Sequence, residues 1–152
     1  MKLELPNVQI LTDNDKITCQ FCQKPKTVLL HRLRQHIASH IILKEIESHS
    51  HLCGYCGLIG CSLDLVVTSG KGKNKTFGPK SDCKYFRALS YRCAETSSTC
   101  TNRPVKCKIC NNISWSYNLE THYKDSHSRF VKDLPKQISD EEILVLSKSS
   151  FL

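Results

Sequence analysis

Residues 18–40 read TCQFCQKPKTVLLHRLRQHIASH, and this stretch decides the fold of the N-terminal part of the chain. Two residues separate Cys19 from Cys22, and thirteen residues further on His36 and His40 follow, one helical turn apart. Two thiols on a tight turn and two imidazoles on one helix face form a ligand set for tetrahedral zinc. The stretch therefore predicts a zinc-stabilised module whose metal ligands are Cys19, Cys22, His36 and His40.

Residues 107–127, CKICNNISWSYNLETHYKDSH, nearly repeat this spacing. The pair Cys107-x2-Cys110 is followed eleven residues later by two histidines separated by four residues. A second occurrence of the same ligand order in 152 residues makes zinc the first hypothesis for the chain. The predicted ligands of this second module are Cys107, Cys110, His122 and His127.

The composition favours several small modules over one large core. Hydrophobic residues make up 39% of the chain, and ten residues are cysteines. Small modules obtain from a metal the stability that their apolar area cannot supply. The N-terminal residues carry acidic side chains and no long apolar run, so we expect reduced, metal-bound thiols rather than a secreted disulfide scaffold. No stretch of the sequence approaches 18 consecutive apolar residues, so we expect no membrane-spanning segment.

The charge favours a polyanionic partner. The formal net charge is +8 at pH 7. Three zinc ions bound by eight thiolates would change it by +6 and −8, which leaves about +6. A basic surface of this kind suits nucleic acid, and the alternative is that the excess of lysine and arginine only keeps the chain soluble.

The middle of the chain carries a third cysteine-rich region. Cys53-Gly54-Tyr55-Cys56-Gly57 is typical of a metal-binding knuckle, because its glycines let the backbone turn beneath an ion. Cys61 alternates with leucines in an expected strand, so it fits a small buried residue as well as a ligand. Since loop positions converge on a metal more easily than strand positions, the predicted third ligand set is Cys53, Cys56, Cys83 and Cys100.

Local patterns predict the elements between these sites. A long helix is expected to begin at an N-cap, Thr27, and to continue to about Ser48. Residues 70–75 are expected to be a solvated hairpin loop, with a return strand interrupted by Gly78-Pro79. Another strand is expected over 85–92. Near the C-terminus, Ser139 with Glu142 predicts a capping box and a short helix.

The two end stretches resemble C2H2 zinc fingers, and this resemblance covers about a third of the chain. It implies a ββα module whose helix can enter the major groove of DNA. It also implies which side chains would face the bases. In the first finger these are Leu29, His31, Arg32 and Gln35, and in the last finger they are Trp115, Tyr117, Asn118 and Thr121.

Residues 53–127 also resemble a cysteine-rich finger protein of fungal genomes that is often associated with transposons. The arrangement that carries this resemblance is CGYCG, GC, SDCKYF, CTNRPVKCKIC and WSYNLETHY. It implies that the central region and the last finger form one unit.

The predicted fold class is therefore small α+β zinc-stabilised modules, with two ββα-like C2H2 fingers flanking a cysteine-rich β-hairpin zinc region. The expected divisions are an N-terminal arm, a finger, the cysteine-rich region, a second finger and a tail with a short helix. Their boundaries are 1–17, 18–50, 51–104, 105–130 and 131–152.

These patterns predict a nuclear, non-enzymatic DNA-binding protein with about three structural zinc ions. The alternatives are an RNA-binding finger protein, or a protein adaptor or homodimer that docks through residues 27–48 or 139–147. An enzyme is not expected, since the zinc-deaminase motif is missing and acidic residues are sparse near the centre. The side chains predicted to contact nucleic acid are Arg32, Arg34, Gln35, Lys71, Lys73, Lys75, Arg103 and Asn118.

Overall fold

The computed structural model describes residues 11–24, 26–89, 91–97 and 99–149. Within these ranges the chain is a small α+β protein with three two-stranded antiparallel sheets and several short helices. The predicted N-terminal arm falls mostly outside the described residues. Among the residues that are described, no helix is long and apolar enough to cross a membrane.

A hairpin and a helix follow one another in the first part of the chain. Strand β1 (Lys16–Cys19) pairs with β2 (Lys26–Leu29), which leads directly into helix α1 (Leu30–Ile42). The predicted N-cap at Thr27 is wrong, because Thr27 lies in β2 opposite Thr18. The helix also ends six residues before Ser48, at a turn in which Lys44 adopts a left-handed backbone conformation (φ 60°).

The central hairpin consists of β3 (Asp64–Ser69) and β4 (Thr76–Lys80), joined by the predicted loop. Contrary to prediction, β4 continues through Gly78-Pro79. Proline is tolerated because each strand of a two-stranded sheet is an edge strand and leaves half of its amide groups unpaired. The strand predicted over 85–92 is also wrong: residues 86–89 are irregular and helix α2 (Tyr91–Glu95) follows.

The last part of the chain again places a hairpin before a helix. Strands β5 (Pro104–Lys106) and β6 (Ile113–Trp115) pair, and a 3-10 turn leads into α3 (Leu119–Ser126). A further 3-10 segment (Ser128–Asp133) lies between α3 and α4 (Asp140–Ser149).

Half of the predicted capping box is present at the start of α4. The hydroxyl of Ser139 accepts a hydrogen bond from the amide of Glu142 (3.1 Å). The carboxylate of Glu142 does not complete the box. It accepts hydrogen bonds from the amide and hydroxyl of Thr101 and from the hydroxyl of Tyr117. The buried carboxylate thus connects α4 to the segment that contains β5, β6 and α3, which we call the last module.

The main hydrophobic core is shared by distant parts of the chain. The predicted apolar face of α1 is buried and meets Leu52, Tyr117 and Leu146 in one cluster. Helix α4 packs against α1 through this cluster. A second cluster joins Trp115 at the end of β6 to the central knuckle. The modules therefore share apolar contacts. The resemblance of residues 53–127 implied that the central region and the last finger form one unit, but the sequence did not predict that α1 and α4 pack in a common core.

Leu146→Ala should lower the free energy of unfolding by about 2–5 kcal/mol, because it leaves a cavity where α4 meets the shared core. Leu146 is fully buried (0% exposed), whereas Leu144 on the same helix is 57% exposed. The control Leu144→Ala should change stability by less than about 0.5 kcal/mol. Denaturant unfolding measures both variants. A small effect of equal size in both would contradict the packing of α4 on the core.

Candidate metal centres

Three groups of cysteine and histidine side chains converge in the described part of the chain. In each group the four donor atoms lie within 4.8 Å of one another. We call these groups the first, central and last donor clusters. Their members are Cys19, Cys22, His36 and His40; Cys53, Cys56, Cys61 and Cys83; and Cys107, Cys110, His122 and His127.

The first donor cluster brings together all four side chains that the sequence predicts as ligands in the first finger. Cys19 ends β1 and Cys22 follows in the turn, while the two histidines lie one turn apart on the buried face of α1. The Nε2 atom of His40 is 3.4 Å from the sulfur of Cys19 and 3.5 Å from that of Cys22. The Nε2 atom of His36 is 3.3 Å from the Cys22 sulfur. All four donors thus face one point between the hairpin and the helix.

These distances fit a tetrahedral zinc ion. Bond lengths of about 2.0–2.1 Å to nitrogen and about 2.3 Å to sulfur place neighbouring donors about 3.3–3.8 Å apart. Burial, and then the nearby His40, lower the pKa of His36 to about 4. The imidazole is therefore neutral at pH 7, which is the form that binds a metal.

The central donor cluster corrects one predicted ligand. Cys53, Cys56 and Cys83 converge as predicted, but the fourth member is Cys61 and not Cys100. The sulfurs of Cys56 and Cys61 are 3.7 Å apart. Cys100 is 1% exposed in the shared core.

Local geometry explains the exchange of Cys61 for Cys100. Strand β3 begins only at Asp64, so Cys61 lies in the preceding loop. Gly57 and Gly60 adopt positive φ angles (74° and 110°), and these turns bring Cys61 back to the knuckle.

Cys100 is held elsewhere by polar contacts. Nη1 of Arg34 lies 3.2 Å from its sulfur and also donates to the carbonyl oxygen of Asn102. The hydroxyl of Tyr117 lies 3.8 Å from the same sulfur. Cys100 therefore belongs to the buried network between α1 and the last module. The glycine-rich spacing Cys56-x4-Cys61 was the available sequence signal that Cys61 belongs to the central donor cluster.

The electrostatics of the central donor cluster favour a cation. Hydrogen bonds from Cys53 and Cys83 lower the pKa of the Cys56 thiol. The hydrogen bond with Cys56 raises the pKa of the Cys53 thiol. Hydrogen bonding with Cys53 raises the pKa of the Cys83 thiol. Four sulfurs this close cannot all carry negative charge unless a cation lies between them. A divalent metal is the group that suits this donor set.

The last donor cluster combines a knuckle with helix α3. His122 lies within α3 and His127 immediately follows it. The sulfur of Cys110 is 3.3 Å from Nε2 of His122. Among the described residues, Nε2 of His127 is a buried nitrogen with no hydrogen-bond partner. A bound metal would satisfy it, so the arrangement fits the predicted ligand set.

The central and last knuckles share one backbone pattern. The amide of Cys53 donates to the carbonyl of Leu58, and the amide of Cys107 donates to that of Asn112, both at 2.8 Å. In each knuckle the residue after the second cysteine has a left-handed φ, 74° at Gly57 and 64° at Asn111. The central and last knuckles therefore have the same backbone conformation, although the sequences that flank them differ.

All eight cysteines of the three clusters carry free thiols rather than disulfides. Each cluster offers four protein ligands, a number that completes a structural zinc site and leaves no position for a substrate or water. The Cys/His clusters are thus compatible with structural zinc binding.

The side chains predicted to contact nucleic acid differ in their exposure to solvent. Four of these side chains face solvent: Arg32, Lys71, Lys73 and Lys75. Gln35 is half-buried beside Arg32. Arg34 contacts Cys100 and Asn102, and Nη1 of Arg103 donates to the carbonyl of Thr101 (3.0 Å). These two arginines therefore make contacts within the chain.

Three of the four predicted base-reading positions of the last finger, Trp115, Tyr117 and Asn118, are buried, and the fourth, Thr121, is half-buried. Asn118 is 2% exposed, and its amide donates to the carbonyl of Leu52 (2.8 Å). The ring of Trp115 is buried edge-on against Tyr55, with ring centroids 5.0 Å apart. Gly54 permits this approach, since an added Cβ would lie 2.5 Å from the Trp115 ring. Asn118 was therefore wrongly predicted as a contact residue.

Comparisons of the chain with protein-family models, with curated proteins and with solved structures found no match. The functional argument therefore rests on the chemistry and placement of the chain's own residues.

Cys61→Ser should reduce the bound zinc from about three ions per chain to about two, because it removes a ligand of the central donor cluster. Cys100→Ser makes the same atomic change at a core position and should retain about three. Metal analysis of the purified, reduced proteins measures both. Loss of an ion in Cys100→Ser, with full occupancy in Cys61→Ser, would restore the ligand set predicted from sequence.

Proposed function

We propose that the chain is a non-enzymatic zinc-finger protein that binds DNA in the nucleus. Each donor cluster would hold one Zn²⁺ ion, and the first and last clusters would each complete a ββα C2H2 finger. The order of hairpin and helix around these two clusters supports this assignment. The zinc would be structural rather than catalytic, because four protein ligands leave it no open coordination position.

The outward side of α1 is the surface that best fits a DNA base edge. Arg32 and Gln35 line one open cavity together with Lys26 and the end of β2. Arginine and glutamine can each form paired hydrogen bonds with bases in the major groove. A nearby lysine can hold a phosphate. This exposed cavity, lined by Lys26, Arg32 and Gln35, is the observation that carries the proposal.

The tip of the central hairpin supplies a second basic surface. Lys71, Lys73 and Lys75 are all exposed in the loop between β3 and β4. From Leu65 to Ser81 the sequence contains these lysines and Lys80, and it contains no acidic residue. Such a segment suits the phosphate backbone, and it would contribute affinity and salt dependence rather than sequence preference.

The last module would support the DNA-binding surface rather than read bases. Of its four base-reading positions, Trp115, Tyr117 and Asn118 are buried within the chain and Thr121 is half-buried. We therefore propose one base-reading helix, α1, and not two as the C2H2 resemblance implies.

The alternative functions have less support from the packing. For an adaptor or homodimer, the buried faces of the two expected docking helices, α1 and α4, already pack against each other. For an RNA-binding protein, aromatic side chains would have to stack on bases. Of the five candidates, Tyr55, Trp115 and Tyr117 are buried, and Tyr85 and Phe86 are half-buried. Both alternatives remain as outcomes of the binding experiment.

Replacing Lys71, Lys73 and Lys75 together with glutamine should weaken binding to mixed-sequence duplex DNA. The slope of log K against log salt should become shallower by about 0.9 for each lysine that contacts a phosphate. Fluorescence anisotropy over a range of salt concentrations measures the slope. Because Lys132, Lys136 and Lys148 are exposed on the C-terminal segment, their replacement by glutamine serves as the control and should leave the slope unchanged.

Two outcomes would contradict this proposal. A shallow slope in the unsubstituted chain, with no preference for DNA over other polyanions, would favour a protein adaptor. Tighter binding to single-stranded RNA than to duplex DNA would favour the RNA-binding alternative.

A further inference from the structure

The end of helix α1 turns back on itself in a defined way. The amide of Lys44 donates to the carbonyl of Ile41 (3.2 Å), and the amide of Glu45 donates to that of His40 (3.0 Å). Lys44 itself has a left-handed φ of 60°. These two bonds and the left-handed residue form a Schellman turn, which closes the helix and reverses the chain direction. Glu45 is thereby returned to the level of His40.

This turn places a carboxylate on the far side of a predicted metal ligand. Oε2 of Glu45 lies 2.7 Å from Nδ1 of His40. The His40 side chain is 3% exposed, while that of Glu45 is 41% exposed. On the other side of the ring, Nε2 of His40 faces the sulfur of Cys19 and Nε2 of His36. The ring is therefore held between the carboxylate and the first donor cluster.

We propose that Glu45 is a positioning residue of the first metal centre, which orients His40 for metal binding through Nε2. This inference rests on the proposed zinc binding of that cluster. A carboxylate that accepts the Nδ1 proton fixes the ring in the tautomer whose Nε2 lone pair is directed at the metal. It also makes the imidazole a stronger ligand, and partners of this kind commonly change metal affinity by about 10–100-fold.

The contact distinguishes the first donor cluster from the last. Among the histidines of these two clusters, and within the described residues, His40 alone forms an ion-pair contact with a carboxylate. Removal of the Glu45 carboxylate should therefore weaken zinc binding at the first cluster more than at the last cluster. The order of zinc release from the two clusters is then partly determined by a residue that is not a ligand.

Glu45→Ala should weaken zinc binding at the first donor cluster by about 10–100-fold and leave the last cluster unchanged. The control is Glu47→Ala, which removes the same charge at an exposed position two residues away. Competition with a chelator, applied to the full chain, measures zinc affinity. Nitrogen-15 NMR of the histidine rings assigns each loss to a cluster. In the unsubstituted chain and in Glu47→Ala, the His40 ring should show a protonated Nδ1 that is protected from exchange with water. In Glu45→Ala this protection should be lost.

Two further variants separate a positioning role from a structural one. Glu45→Gln keeps an acceptor but removes the charge, so it should bind zinc with an affinity between those of the alanine variant and the unsubstituted chain. Glu45→Asp keeps the charge but shortens the side chain, so it should approach the alanine variant. Equal zinc affinity and equal His40 ring signals in Glu45→Ala and Glu47→Ala would overturn the inference. If the unsubstituted chain binds no zinc at the first cluster, the proposed metal binding fails and this inference fails with it.

Discussion

The convergence of four donor atoms at each of three points is the constraint on which the rest of the structure depends. Each donor cluster joins residues that are distant in sequence, such as Cys19 with His40 and Cys53 with Cys83. The strands between them are three to six residues long, and a hairpin of that size is marginal by itself. A metal bound as proposed would cross-link each hairpin to its partner segment. It would contribute to folding directly, because an unfolded chain offers no such site.

The clusters do not act alone, since the modules are joined by a shared core and a buried polar network. Arg34 of α1 reaches Cys100 and Asn102, and Glu142 of α4 accepts hydrogen bonds from Thr101 and Tyr117. Breaking such a network would leave buried polar groups without partners, which is costly. The first module, the last module and α4 are therefore expected to lose structure together. This coupling also explains why three of the four base-reading positions of the last module are not free: Trp115, Tyr117 and Asn118 make contacts that join the modules.

Spacing along the chain predicted ten of the twelve cluster residues and the chemistry of all three clusters, because cysteine pairs and helical histidines are local patterns. Sequence reasoning added an eleventh, Cys83, from its position in a loop far from the knuckle. It failed at Cys61 because the limits of β3 decide whether that residue lies in a strand or in a loop, and those limits depend on tertiary contacts. It failed at Asn118 and Arg34 for a related reason. Both are polar residues on helical or near-helical segments, and only the packing of distant parts shows that they satisfy buried carbonyls. The Glu45 contact could not be found from the sequence, because it requires the left-handed turn at Lys44.

Removal of the metal under reducing conditions tests the central claim most directly. The purified chain would be treated with a strong chelator and a thiol reductant, and its amide NMR spectrum would be recorded before and after, and again after zinc is restored. We expect the dispersed resonances of the hairpins and of α1 and α3 to collapse on chelation and to return with about three equivalents of zinc. A spectrum that stays dispersed and unchanged after the metal has been stripped would contradict the account.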